Sequence, residues 1–157
     1  MLRVKGCAVV LALFALCLIA PRAHAGDSLN LKTALPMIAA AEKKAEEIKV
    51  PMVITVLDAG GNMIAQHRMD DALLVSVEIS LNKAYSALAV KIPTSTLGEL
   101  AQPGKPLYGI QNCSRMIIFG GGFPVVRDGV IIGAIGVSGG SVEEDMACAK
   151  AGLAALK

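Results

Sequence analysis

Apolar positions run along this chain in distinct rhythms, and each rhythm predicts a different element. From Cys7 to Ala20 nearly every residue is apolar, with Arg3 and Lys5 before the run and Pro21 after it. From Leu29 to Lys49 the spacing turns helical: Leu35, Ile38, Ala41, Ala45 and Ile48 share one face, and Glu42, Lys43, Glu46 and Glu47 fill the other. Asn30 is placed to cap this helix, and Pro36 falls early, where it costs less than in mid-helix. Val50-Pro51 stops it. Met52 to Leu57 is a short apolar, β-branched run and predicts a buried strand. Asp58-Ala59-Gly60-Gly61-Asn62 predicts a turn, and Met63 to Met69 returns as the second arm of a hairpin.

The second half alternates in the same way. Asp71 is the expected cap of a helix running to about Val90, with Leu74, Val77, Leu81, Ala84 and Leu88 as its apolar positions. Pro93 ends it, Thr94 to Leu100 reads as a short helix, and 102–112 is a loop carrying Pro103, Gly104, Pro106 and Gly109. Arg115 to Phe119 predicts a third strand. Val125-Val126 and Val130 to Val137 flank Arg127-Asp128-Gly129, a hairpin signal. Ser141-Val142-Glu143-Glu144 is a capping box that opens the last helix. The order α-β-β-α-(α)-β-β-β-α predicts an α+β domain with a five-stranded antiparallel sheet and helices packed on it.

The first apolar run changes the account of composition. It holds about 14 residues, too few to span roughly 30 Å of hydrocarbon. Ala23-His24-Ala25 behind it has the small-x-small pattern of a signal-peptidase site. Residues 1–25 are therefore expected to be a signal peptide cleaved after Ala25, with a mature domain at 26–157 in the periplasm or outside the cell and no membrane span left. Its removal takes Arg3, Lys5 and Arg22 and turns 15 basic against 13 acidic residues into 12 against 13. No basic stripe remains, so nucleic acid is not an expected partner. With no Trp and few aromatics, the core must be aliphatic. Cys7 and Cys17 leave with the leader. Cys113 and Cys148 remain, either as one disulfide or as two buried thiols.

Chemistry-bearing residues are few. His67 is the single histidine of the mature chain, so any imidazole ligand or base must be His67. On a strand it shares a face with Met69, a possible soft ligand or core filler, while Arg68 takes the opposite face. The bland reading of His67 is an exposed strand residue. Gly120-Gly121-Gly122 and Ser138-Gly139-Gly140-Ser141 either bring backbone amides to a carboxylate or phosphate or merely permit turns. Neither is a P-loop or a dinucleotide fingerprint, and Ser138 lies in no nucleophile elbow. Asp70 and Asp71 read as a turn and cap. Lys83, in the alanine-rich Asn82-Lys83-Ala84-Tyr85, either reaches an acidic group of a ligand, pairs with Asp70 or snorkels at the surface.

Five segments in order resemble one family: Val53 to Asn62, Arg68-Met69-Asp70, Asn82-Lys83-Ala84-Tyr85, Gly120 to Pro124, and Gly133 to Gly140. Together they resemble the GlcG/HbpS haem-binding family, which includes the C-terminal domain of PduO-type adenosyltransferases; the resemblance covers Leu29 to Lys157. It implies a profilin-like three-layer α/β/α sandwich, homo-oligomers, haem as cofactor in several members and, in secreted members, a membrane sensor kinase as partner. With haem bound, His67 would be the metal ligand, and Arg68, Lys83 or the amides around Gly121, Gly122 and Ser138 would meet propionates. Three functions stay open: haem sequestration, delivery or redox sensing; a haem-degrading or peroxidase-like enzyme; and a sensory module for small carboxylates.

Overall fold

A computed structural model describes residues 29–156; the expected signal peptide and its cleavage position lie outside the described residues. The elements are α1 (Leu31–Ile48), β1 (Val53–Asp58), β2 (Met63–Arg68), α2 (Ser76–Val90), α3 (Thr94–Leu100), a 3₁₀ turn (Ile110–Asn112), β3 (Gly122–Arg127), β4 (Val130–Ser138) and α4 (Val142–Ala154). Among the described residues the four strands form one antiparallel sheet in the order β2-β1-β4-β3.

The predicted signals explain most boundaries. Asn30 caps α1 through a reciprocal box with Thr33, and Ser141 caps α4 in the same way with Glu144. The β3–β4 turn has positive φ at both Asp128 (51°) and Gly129 (77°), as a tight two-residue hairpin requires. Asp58 closes the β1–β2 turn by accepting from the Gly60 and Asn62 amides at 2.8 and 2.9 Å.

Central strand β1 is buried from Val53 to Leu57 because helices cover both faces of the sheet. On one face Ile54, Val56, Ile135 and Val137 pack with Met37, Ile38, Ala41 and Ala45 of α1 and Cys148 and Ala149 of α4. Burying each large aliphatic side chain there contributes about 1.5–3 kcal/mol. On the other face α2 lies close to the sheet through small residues. Ser76, Ser80, Ala84 and Ala87 are buried, and a Cβ on Gly136 would collide with the Ser80 carbonyl. This interface is partly polar: the Thr55 and Ser80 hydroxyls are 2.8 Å apart, and Gln66 donates to Thr55 Oγ1 at 2.7 Å.

Two expected elements differ. Residues 115–119 do not form a strand, so the sheet has four strands among the described residues rather than five. Arg115 takes φ 68°, and the segment spends its backbone groups on α2: Ser86 Oγ donates to the Arg115 carbonyl at 3.0 Å and accepts from the Ile117 amide at 2.8 Å. A side chain thus replaces the neighbouring strand. Nor does Asp71 cap α2. It sits at φ 63°, and Ala72 to Val75 form turns that delay the helix to Ser76, where no side chain caps it.

Candidate functional site

His67 occupies β2, an edge strand, opposite Ile54 of β1. Ile54 faces α1, and so does His67: its Nδ1 lies 2.8 Å from Glu42 Oε1 in the middle of α1. The imidazole is half exposed (45%), and Glu42 less so (29%). Met69, on the same side, is committed to the fold. It packs against the core, and its sulfur accepts from the Met52 amide at 3.4 Å. Arg68 points the other way, toward the α2 layer, is exposed, and donates to the Ala72 carbonyl at 3.4 Å.

Lys83 belongs to a second constellation. It is fully buried, and its ammonium bonds Asp145 Oδ2 at 2.5 Å and the Val137 carbonyl at 3.0 Å. The Phe119 ring stands over it at 4.8 Å. Asp145 in turn accepts from the Gly140 amide at 3.0 Å. Burial pulls Lys83 below its ordinary pKa and pushes Asp145 above its own, while their mutual attraction opposes both shifts. The pair ties α2, on one face of the sheet, to α4, on the other. Gly121 leaves room for this tie: at φ 118° a Cβ there would lie 2.7 Å from Lys83 Nζ and 2.6 Å from the Val137 carbonyl oxygen. Gly122 likewise lies against the Lys83 backbone carbonyl. Ser138 is buried and donates to Ser76 Oγ at 3.1 Å.

The residues expected at one site therefore divide between the two faces. His67 stands with Glu42 on the α1 face, while Lys83, Gly121, Gly122 and Ser138 are packed where α2 meets β4. Three amides of the glycine-rich segments are already engaged, Gly122 by Thr94 Oγ1 at 2.9 Å, Gly140 by Asp145, and Ser141 by Glu144 at 2.8 Å. Cys113 and Cys148 are both free thiols, Cys113 exposed and Cys148 buried. No group of three or more metal-binding side chains occurs among the described residues.

Comparison with known proteins decides the family. A family model described as haem-degrading, HbpS-like matches residues 29–154. The chain belongs to the HbpS-like family. It is 48% identical over 128 residues to a 15.0 kDa protein from the dhaT-dhaS intergenic region of Citrobacter freundii, covering 80% of this chain and 90% of that one. It is 44% identical over 119 residues to the corrinoid adenosyltransferase PduO of Salmonella typhimurium, covering 74% of this chain but only 35% of PduO. The crystal structure of a PduOC:haem complex superposes with a TM-score of 0.80 at 40% identity, covering 83% of this chain and 96% of that chain. This HbpS-like chain thus corresponds to a single part of PduO.

Two residues of the geometry escaped sequence reasoning. Glu42 lies 25 positions from His67, and Asp145 lies 62 from Lys83. For Lys83 a signal existed: Ile79, Ser80, Ser86 and Ala87, its helical neighbours at three and four residues, offer no acid, so a buried lysine there needs a distant one.

Proposed function

We propose that this chain is an exported haem-binding protein in which His67 supplies a nitrogen ligand to the iron. The observation that carries the reading is the PduOC:haem complex, a relative of the same fold that this chain matches over nearly its whole length. The donor chemistry of the chain fits. Neutral imidazole is an axial ligand of haem iron, and His67 is half exposed on an edge strand with Nδ1 engaged by Glu42 and no partner at Nε2 among the described residues. Of the expected propionate partners, Arg68 is exposed but turned to the α2 side of β2, away from His67, and Lys83 is neutralised by Asp145 and buried. Bound haem would supply a redox-active iron. The chain's own part is to hold and orient it, for sequestration, delivery or redox sensing beside a membrane kinase.

Binding is favoured over turnover because His67 is the one imidazole of the expected mature chain, and Glu42 is occupied in holding it. It is favoured over a carboxylate-sensing module because the Gly122 amide and the Gly140 and Ser141 amides at the start of α4 have partners within the protein. The reading includes self-assembly. Leu73, Leu74 and Val75, just beyond β2, are 59%, 87% and 57% exposed, an apolar stretch suited to a second copy. Export predicts a mature N-terminus at Gly26, read by N-terminal sequencing of the protein recovered from outside the cytoplasm; an intact Met1 would contradict it. Haem binding is tested by haemin titration of wild type and His67→Ala, with thermal shifts by small carboxylates alongside. A saturable Soret shift lost in His67→Ala supports the proposal, and stabilisation by carboxylates alone overturns it.

A further inference from the structure

We infer that Glu42 is a positioning residue for His67: its carboxylate fixes the imidazole tautomer and ring orientation that leave Nε2 bare for the iron. The inference rests on the haem reading above and adds a residue to it. An ionised carboxylate can only accept a hydrogen bond. The 2.8 Å contact between Glu42 Oε1 and His67 Nδ1 therefore places the proton on Nδ1, and in the neutral ring the lone pair then sits on Nε2. Among the described residues Nε2 has no hydrogen-bond or ion-pair partner. An imidazole whose far nitrogen is held by a carboxylate is the arrangement that orients histidine ligands of metals generally.

The surroundings show that Glu42 is free for this work and rigidly placed. Its helical neighbours at three and four residues are Ala39, Ile38, Ala45 and Glu46, none of them a cation. Lys44 is drawn away to Glu47 at 3.2 Å. Ala41 and Ala45 beside it are fully buried, which locks this turn of α1 onto the core. His67, by contrast, projects from an edge strand, and without Glu42 its half-exposed ring would turn freely.

The competing account is an exposed ion pair with no consequence, and two readouts separate them. In the haem-free protein, ¹⁵N NMR of His67 should show the Nδ1–H tautomer in wild type and a shift toward Nε2–H in Glu42→Ala. Haemin affinity should fall about 10–100-fold in Glu42→Ala, whereas His67→Ala, which removes the ligand itself, should abolish the Soret shift. Glu42→Met, of similar length but without an acceptor, repeats the comparison should the alanine variant fold poorly. If His67→Ala abolishes the Soret shift while the Glu42 variants leave either tautomer or affinity unchanged, the positioning role is overturned and the haem reading survives. If His67→Ala leaves haemin binding intact, the haem reading itself fails.

Discussion

Single residues in this fold take their properties from what surrounds them rather than from their type. Asp58 and Asp145 are both carboxylates, yet they shift in opposite directions. Slight burial pushes Asp58 up, but the hydrogen bonds from Asn62, Gly60 and Gly61 outweigh it and hold the carboxyl below its ordinary 3.8. A folded pKa below the unfolded one stabilises the protein above the unfolded value, and that contribution is lost as pH falls through the folded value. Asp58→Ala should thus cost about 1 kcal/mol at neutral pH, and urea midpoints of variant and wild type should converge below pH 3.8. A gap independent of pH would assign the effect to turn geometry alone. The two cysteines contrast in the same way. Burial, helped by the Asp145 charge, raises the Cys148 thiol to about 11, while Cys113 is exposed. Iodoacetamide followed by mass spectrometry should label Cys113 in the native protein and Cys148 only after denaturation. Equal labelling would show that the α4 layer opens.

At the scale of elements, the buried Lys83–Asp145 pair decides how the two helical layers are joined. Removing one partner leaves an uncompensated buried charge, so Lys83→Met or Asp145→Leu should each cost about 3–5 kcal/mol. The double variant should cost clearly less than their sum in a thermal or urea double-mutant cycle, since neither charge is then stranded. Additive losses would mean that the pair is not coupled. Helix α1, the β1–β2 hairpin, the β3–β4 turn and the α4 cap follow from local patterns, because their partners lie within a few residues. Residues 115–119 have strand-like composition but answer to Ser86, 29 and 31 positions away, which no local pattern reveals. Asp71 looks like a cap but takes a left-handed turn. The glycine-rich segments were legible as places of close approach. That the approaching groups would be Lys83 and the Val137 carbonyl, rather than a ligand, required the third dimension.

For the whole molecule, the fold separates two constellations. The sealed tie of Lys83 and Asp145 runs between the α2 and α4 layers with its polar groups satisfied internally; among the described residues no buried side-chain nitrogen or oxygen lacks a partner. His67 stands apart from it on edge strand β2, half exposed and held by Glu42 of α1. Stability and ligand binding can therefore be probed apart: changes at Lys83 should alter unfolding, and changes at His67 should alter binding at unchanged fold. The most direct measurement of the central claim is a haemin titration of the purified protein followed in the Soret band, with His67→Ala in parallel and circular dichroism confirming that both are folded. A saturable, stoichiometric shift in wild type that His67→Ala abolishes is the expected result. A shift that survives the substitution, or none in wild type, would contradict it.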